Sequence, residues 1–153
     1  MLVENILLER EIAYTAGFFD GEGCVSICKC VVENQPYRIL IQLTNTNKLV
    51  MDWIHSKIGG SIRTLKHRHG NWRTTYVLTL TARDKMLWFM DLVYPFCIVK
   101  KSQMDVAREF LSIPKYSRSN RRLELQEQMK ALNWRFRKKE SVVNEQRVEH
   151  VNN

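Results

Sequence analysis

The sequence predicts an α+β protein made of one αββαββα unit followed by further helices. Apolar residues recur at helical spacing in three segments, and they alternate with polar residues in four shorter segments that come in two pairs. No block of sequence recurs within the 153 residues, a length that fits one ordinary domain. We therefore expect a single domain over residues 1–140, with its core at about 10–112 and a basic helical extension at about 115–140, followed by a polar tail at 141–153.

The first helix and the first pair of strands are predicted within residues 9–44. Ile12, Ala16 and Phe19 share one face of a helix over 9–20, which we expect Gly21 and Gly23 to end. Alternation predicts strands over 24–32 and 37–44, and the turn residues at 34–36 join these strands into a hairpin.

The second helix is expected to be capped near Thr46 and to end at Gly59 and Gly60. Its apolar face contains Leu49, Val50, Trp53, Ile54 and Ile58. Two more strands follow at 61–66 and 73–80, on either side of a polar loop at 67–71.

The remaining segments are predicted to be helical. Thr81 to Asp84 resembles a capping box, with aspartate in place of the usual glutamate or glutamine, and it opens a third helix that stops before Pro95. Further helices are expected over 101–111 and 119–134, separated by Pro114.

Basic residues are concentrated in two stretches of this chain, whose net charge is +8. Between Trp53 and Arg83 there is no acidic residue, whereas lysine, arginine and histidine are frequent. Residues 115–139 contain nine basic residues against Glu124 and Glu127. Stretches of one sign suit a polyanion, because each neutralised phosphate releases counterions. A solvated surface is the alternative interpretation.

Composition favours an intracellular protein whose partners include neither a membrane nor a small-molecule cofactor. No apolar run reaches the roughly 18 residues of a membrane span, and the charged first 11 residues do not resemble a signal peptide. Cys24, Cys28 and Cys30 would share one face of a strand but span roughly 20 Å. One zinc ion cannot gather thiols so far apart, so we expect these residues and Cys97 to be reduced thiols.

Residues 15–23, Thr-Ala-Gly-Phe-Phe-Asp-Gly-Glu-Gly, resemble the signature of the LAGLIDADG homing endonucleases. The stretch ends a predicted helix, leads directly into a hairpin and opens a unit of the family's size. The resemblance covers roughly residues 10 to 112. The sequence departs from the signature by Thr15 for the first leucine and by Glu22 for the second aspartate, which keeps the carboxylate.

The resemblance implies an intron-encoded, site-specific and metal-dependent endonuclease. Such an enzyme hydrolyses both strands of a long pseudo-palindromic double-stranded DNA site as a homodimer and leaves short 3′ overhangs. Two alternatives stay open on the same scaffold, a non-cutting DNA-binding regulator and an RNA-splicing maturase. A third is a small basic protein that uses its first helix only to dimerise.

Glu22 is the principal candidate for metal binding and catalysis. The carbonyl end of a helix carries partial negative charge, and a carboxylate at that end strengthens its attraction for cations. Two such helices packed about a twofold axis would bring two Glu22 carboxylates together, and divalent cations would relieve their repulsion. Hard Mg²⁺ fits oxygen ligands, with Ca²⁺ as a non-catalytic substitute and Gly21 as a second metal-binding position. The alternative for Glu22 is an exposed acid in a turn.

The resemblance assigns roles to three further residues. Asp20 is expected to cap backbone amides rather than bind metal. Asn45, at the end of the second strand, is placed near the attacking water, with a helix N-cap as the alternative. Lys100 is expected to stabilise the transition-state phosphate, with a phosphate anchor or a surface lysine as the alternative.

Small residues on the motif helix let two helices approach closely, because little side chain separates their backbones. The dimer interface is therefore expected to contain Ile12, Thr15, Ala16, Gly17 and Phe19.

Alternation also predicts which side chains of the sheet face DNA, since a sheet of these lengths can lie along a major groove. The residues expected to pack inward are Val25, Ile27, Ile39, Ile41, Leu43, Tyr76, Leu78 and Leu80. Those expected to face outward and contact DNA are Ser26, Cys28, Cys30, Arg38, Leu40, Gln42, Arg63, Arg73, Thr75 and Val77, and Lys29 is a further candidate on the inward parity. Plain solvent exposure is the alternative for each.

Other basic and polar residues are expected to contact phosphates or outer bases. Four lie near a hairpin tip, one lies beside Lys100, and four lie in the C-terminal extension, where contact with a partner helix is the alternative. They are Lys66, His67, Arg68, Asn71, Lys101, Arg118, Arg121, Arg122 and Lys139.

Overall fold

Eight helices and strands follow one another in the predicted order, and a further helix comes after them. The computed structural model describes residues 8–30, 37–65, 73–114, 117 and 120–134. The elements are α1 (Glu9–Glu22), β1 (Gly23–Lys29), β2 (Tyr37–Asn45), α2 (Lys48–Ile58), β3 (Ser61–Leu65), β4 (Thr75–Leu80), α3 (Arg83–Val93), α4 (Lys101–Ser112) and α5 (121–134). The predicted α+β class and the αββαββα order are confirmed, with bounds that differ by a few residues.

The four strands form one antiparallel sheet in the order β1-β2-β4-β3. The register pairs Ile27 with Ile39, and Ile41 with Leu80, so apolar residues of neighbouring strands share one face. The residues predicted to point inward are buried, apart from Tyr76, which is half-buried. The inner face of the sheet forms a core with residues of all five helices.

Helix α1 passes into strand β1 without a loop. Its first turn is closed by the Leu8 amide, which donates to the Glu11 carboxylate at 3.1 Å, and its last is closed by the Gly23 amide, which donates to the Phe19 carbonyl. A Cβ atom at Gly23 would lie 2.2 Å from Cδ2 of Phe19, so this junction requires glycine. Gly21 lies inside the helix instead of ending it, which corrects the prediction for that residue.

The caps of two helices differ from the predictions. Asn47, not Thr46, caps α2, because its side-chain oxygen accepts from the amides of Leu49 and Val50. The capping box expected at Thr81 does not form. Helix α3 begins one residue later, after Ala82, whose side chain has no acceptor atom.

Helix α5 lies against the edge of the sheet formed by β1. Leu125 and Met129 are buried in the core. On the same helix, Gln126 Nε2 donates to the Ile27 carbonyl at 3.2 Å and Asn133 Nδ2 donates to the Val25 carbonyl at 3.0 Å. The predicted C-terminal helix therefore exists, and its side chains bond to two main-chain carbonyls of an edge strand.

Within the described ranges, every helix is too short or too polar to cross a lipid bilayer.

Candidate carboxylate site and nucleic-acid interface

Glu22 is the last residue of α1, and its side chain is exposed. The next residue, Gly23, opens β1 and pairs with Leu43 of β2. Gly21 is also exposed and offers a main-chain carbonyl beside Glu22. The fold therefore places a carboxylate at the negative end of a helix dipole and at one end of the sheet.

Asp20 holds the chain segment before α4 against the end of α1. Its carboxylate accepts hydrogen bonds from the amides of Ile98 at 2.6 Å, Val99 at 3.2 Å and Lys100 at 3.1 Å. Partial burial raises the pKa of Asp20, but these three amide donors outweigh it, and the pKa lies below its ordinary value. The prediction that Asp20 caps backbone amides is confirmed.

Lys100 lies at the same helix end as Glu22. Its Nζ donates to the Asp20 carbonyl at 3.0 Å, and the side chain is half-buried. A cation is therefore held at the carbonyl end of α1, on the main-chain carbonyl of the residue two positions before Glu22. The delivery of Lys100 to an active site, which the resemblance implies, and its catalytic role stay predictions.

Cys97 packs between α1 and this segment. Its thiol donates to the Ala16 carbonyl across 3.7 Å, and the residue is buried. Burial, followed by the negative charge of Asp20, raises the pKa of the Cys97 thiol to about 12. The residue is thus a protonated core side chain at neutral pH. None of the four cysteines, Cys24, Cys28, Cys30 and Cys97, is in a disulfide.

Asn45 ends β2 two positions beyond the residue that pairs with Gly23. Its side-chain oxygen accepts the Asn47 amide at 2.8 Å and so shapes the turn that leads into α2. The helix cap itself is Asn47, so the alternative interpretation of Asn45 as the cap is wrong. Its placement of an attacking water stays a prediction.

The outer face of the sheet carries the strand residues that alternation assigned to it, whereas Cys30 and Arg73, which were predicted to lie within strands, lie just outside them. Register pairs Cys28 with Arg38, Ser26 with Leu40, and Val77 with Arg63, so these side chains share a face. Arg38, Arg63 and Arg73 are exposed, while Ser26, Cys28, Cys30, Leu40, Gln42 and Thr75 are partly exposed. The arrangement gives a mixed surface of guanidinium, amide, hydroxyl and thiol groups, of which the first three are able to bond to base edges.

Val77 is the exception on this face, since it is only 4% exposed. It lies on a central strand between Thr44 of β2 and Arg63 of β3, and a short valine is covered by such neighbours. The prediction that Val77 contacts DNA is therefore wrong for this structure. Gln42 is tied to the same strand, because its Nε2 donates to Thr79 Oγ1 at 3.2 Å.

Sequence reasoning missed five residues on the outer face. Each has the parity of a residue that was chosen, so the same alternation could have found them. They are Cys24, Thr44, Ser61, Leu65 and Thr79.

Basic residues outside the sheet are placed differently from the predictions. Arg122 is buried, its Nη2 donates to the carbonyls of Ile113 and Pro114, and its guanidinium lies 4.9 Å from the Phe110 ring. Burial lowers the pKa of Arg122. This arginine joins α4 to α5, so its predicted role as a surface phosphate contact is wrong.

Of three other predicted DNA contacts, Arg121 and Lys29 are exposed and Lys101 is partly buried. Arg121 is paired with Glu109 and Glu124. Lys101 Nζ lies 5.3 Å from the ring centroid of Tyr94. Lys29 is exposed on the inward parity of β1. Contacts of these residues with DNA remain predictions. Six predicted residues lie outside the described ranges: Lys66, His67, Arg68, Asn71, Arg118 and Lys139.

The expected dimer face of α1 needs correction. Thr15, Ala16 and Phe19 are buried in the core of their own chain, and Phe19 stacks edge-on against Phe89. They therefore cannot meet a partner, and their assignment to an interface is wrong. Ile12 is partly buried, and only Gly17 of the five predicted residues is exposed.

A different stripe of α1 faces outward. Ala13, Gly17 and Gly21 recur every four residues and are all exposed, and a Cβ atom added at either glycine would meet nothing within 4 Å. Tyr14 stacks on this helix with Phe18 and meets Trp53 of α2 edge-on. Beside it, Leu49 is 80% exposed and lines an open apolar groove with Tyr14, Val50 and Trp53.

A single chain supplies few metal ligands. In the part of the chain that the structure describes, no three histidine, cysteine, aspartate or glutamate side chains are grouped closely enough to hold a metal ion. At the end of α1 the available oxygen donors are the Glu22 carboxylate and the main-chain carbonyl of Gly21. Oxygen donors of this kind suit Mg²⁺, which commonly takes one or two carboxylates together with substrate phosphates and water.

Comparison with solved structures shows that this architecture is that of the LAGLIDADG homing endonucleases. The homing endonuclease I-CvuI in complex with a DNA target is 17% identical, with a TM-score of 0.67 over 81% of this chain and 82% of that one. The archaeal intron-encoded homing endonuclease I-Vdi141I, complexed with DNA, is 21% identical, with a TM-score of 0.66 over 81% of this chain and 84% of that one.

The LAGLIDADG homing endonuclease I-GzeII, in complex with its DNA target, has a TM-score of 0.53 at 15% identity. The match covers 65% of this chain but only 34% of that longer one. No protein-family model matches the sequence, and the comparison with curated proteins found no significant match. The chain thus has the LAGLIDADG homing-endonuclease fold.

Proposed function

We propose that this protein is a site-specific, metal-dependent DNA endonuclease that acts as a homodimer. The observation that carries the proposal is the exposed carboxylate of Glu22 at the junction of α1 and β1, where a helix end meets a sheet with a polar and cationic outer face. The solved structures with this fold that are described above are endonucleases in complex with DNA, which supports the same class of activity here.

The dimensions of the sheet suit a long target. Strand β1 has seven residues, which extend roughly 23 Å at 3.3 Å per residue. This length matches about seven base pairs of one half-site, since base pairs are stacked about 3.4 Å apart. Two copies related by a twofold axis would read two half-sites of a pseudo-palindrome, with exposed Arg38 and Arg63 suited to guanine edges.

A divalent metal ion is proposed because the carboxylate of Glu22 and the phosphate of DNA are both anionic. A cation between them would relieve their repulsion. A bound Mg²⁺ would activate water and stabilise the leaving oxygen. Glu22 is the residue proposed to hold it, with the Gly21 carbonyl beside it. I-CvuI was solved with magnesium and with calcium, which supports the choice of ions. The Lys100 ammonium is held at the Asp20 carbonyl near the end of the same helix, and the Asp20 carboxylate accepts the Lys100 amide, so Lys100 is the residue proposed to supply positive charge to the site.

Dimerisation is proposed through the stripe of Ala13, Gly17 and Gly21. Without side chains on two of these residues, the backbone of α1 is open to close approach by a second α1. The exposed apolar groove around Leu49 and Tyr14 adjoins the stripe and would be covered at the same time. A twofold axis through the stripe would bring two Glu22 side chains to one place, so that the metal site is shared.

An intron-encoded origin and an intracellular site of action are part of the proposal. One similar structure is that of an intron-encoded enzyme, and double-stranded DNA is an intracellular substrate.

The test is cleavage selection on a randomised DNA library with Mg²⁺, followed by assays of Glu22→Gln on the selected site. We expect cleavage to fall by at least about a hundredfold, because the amide cannot supply the negative charge that attracts the metal. DNA binding in Ca²⁺ should change by no more than about threefold. The control is Glu127→Gln, which makes the same change at an exposed residue of α5.

The outcomes separate the candidate activities. Normal cleavage by Glu22→Gln would refute the role of this residue. A wild-type protein that selects and binds a site without cutting it would be a DNA-binding regulator, and one that accelerates intron excision from RNA without cutting DNA would be a maturase.

A further inference from the structure

Helix α5 contacts the strand that begins directly after the candidate catalytic residue. Among the described strands, β1 pairs only with β2, so alternate carbonyls along β1 point away from the sheet. Two of these carbonyls, those of Val25 and Ile27, accept hydrogen bonds from the side-chain amides of Asn133 and Gln126. Two side chains of a helix here donate to carbonyls that would otherwise be open to a fifth strand.

The two side-chain amides bond to β1 at the residues on either side of Ser26, whose side chain is on the outer face of the sheet. Ser26 lies between Val25 and Ile27 with its side chain on the opposite face of the sheet. The Val25 carbonyl lies in the peptide plane between Val25 and Ser26, and the Ile27 carbonyl lies in the plane between Ile27 and Cys28. The two side-chain amides of α5 therefore restrain how far the segment from Ser26 to Cys28 can shift or twist. Buried Leu125 and Met129 fix α5 itself in the core, so the restraint is attached to a rigid base.

The chemistry at Gln126 indicates more than general stabilisation. This side chain is 4% exposed, and within the described residues its Oε1 has no hydrogen-bond partner. A leucine of similar size would leave the Ile27 carbonyl unpaired and remove the unpaired Oε1. The substitution removes one unpaired buried acceptor, Gln126 Oε1, and creates another, the Ile27 carbonyl oxygen. It should therefore change folding stability little, while it removes the hydrogen bond that holds β1 to α5.

We propose that Gln126 and Asn133 are positioning residues that set the register of β1 on DNA. The inference rests on the proposed function and deepens it. The preference for particular base pairs under β1 then depends on the bonds that α5 makes to the β1 carbonyls, although α5 need not touch those base pairs. The base-pair preference under β3 and β4 does not depend on these bonds.

The test compares Gln126→Leu, Asn133→Leu and the double variant with two controls on α5. Gln128→Leu makes the same change at an exposed position, and Leu125→Ala weakens the packing of the helix without removing either amide. Cleavage selection gives the preference at each base pair, and Ser26→Ala and Arg63→Ala identify the pairs read by β1 and by β3. Thermal unfolding and amide hydrogen exchange of β1 are measured without DNA.

We expect the double variant to lose about tenfold in discrimination at the pairs assigned to Ser26, and to keep it at those assigned to Arg63. Its β1 amides should exchange about tenfold faster than in the wild-type protein, with little change in β4. Unchanged exchange and preference, or a loss spread evenly over the site as in Leu125→Ala, would overturn the positioning role. A wild-type protein without any preferred site would instead overturn the proposed function, and the DNA-reading role with it.

Discussion

A substitution in the exposed stripe on α1 is expected to raise the folding stability of the monomer and to weaken the dimer. Gly17 lies in the interior of a helix, its position is exposed, and a Cβ atom there would meet nothing of its own chain. Gly17→Leu should therefore stabilise the monomer by about 0.5–1 kcal/mol through helix propensity. For a domain of this size, that corresponds to a rise in unfolding temperature of about 1–4 °C.

The same side chain should prevent close approach of two α1 helices. Overpacking of a tight contact costs about 1–3 kcal/mol, and a twofold axis applies the cost twice, which gives about 2–6 kcal/mol. The dimer dissociation constant should rise by a factor between about 30 and more than 10⁴. Because the proposed metal site needs Glu22 from both chains, cleavage should decline with the dimer.

Sedimentation velocity over a range of concentrations, with and without target DNA, measures the assembly, and circular dichroism measures the melting. Gly17→Ala is the matched control, since its methyl group brings most of the gain in helix propensity and little bulk. A Leu variant that dimerises and cleaves like the wild type would refute the assignment of this stripe to the interface. A Leu variant that unfolds would refute the outward position of Gly17.

Three further predictions concern the junction of α1 with its surroundings. Asp20→Asn should cost about 2 kcal/mol at pH 7, because a charged acceptor of three amides becomes neutral. With its pKa lowered in the folded state, the Asp20 carboxylate contributes fully above about pH 4, and this contribution is lost as the pH falls through the folded-state pKa. Denaturant titrations between pH 2 and 7 should show that the free energy of unfolding falls less steeply with decreasing pH in the variant than in the wild type. Parallel curves would contradict the role of ionised Asp20 in stabilising the fold. Gly23→Ala should destabilise the folded protein by about 1–3 kcal/mol, because its methyl group would collide with Phe19. The effect is opposite in sign to that of Gly17→Ala, and equal melting temperatures of the Gly23→Ala variant and the wild type would contradict it. The thiol of Cys97 is buried and has a pKa of about 12, so it should react with iodoacetamide at pH 8 at least about a hundredfold more slowly than exposed Cys24. Mass spectrometry measures both rates, and comparable rates would show that α1 does not cover Cys97.

The order of the elements could be read from the sequence because helical and strand periodicities are local. Alternation in β1 and β2 also identified the residues that pack inward, such as Ile27 and Ile41. The role of Asp20 was found through the resemblance, since a short motif fixes which acid faces the backbone and which faces outward.

What could not be read depends on contacts between distant segments. Periodicity showed that α1 has an apolar face with Ala16 and Phe19, but it does not say whether that face meets its own core or a partner. The true outer stripe contains glycines, which carry no periodic signal of hydrophobicity. Val77 was misassigned because its burial follows from the strand order, which places β4 between two neighbours. Arg122 was misassigned because a basic residue in a basic stretch gives no sign that its guanidinium bonds to main-chain carbonyls.

The bonds from α5 to β1 also determine how copies of this protein can associate. A sheet edge with open backbone groups invites strand addition, which can continue without limit. Along β1, two outward carbonyls are already taken by Gln126 and Asn133, and the opposite edge is the five-residue strand β3 with Arg63 at its centre. A short, charged edge is a poor template for another strand. Growth into fibres is thus disfavoured at both edges of the sheet, whereas association through the outer stripe of α1, which we propose pairs two copies about a twofold axis, would close after two chains.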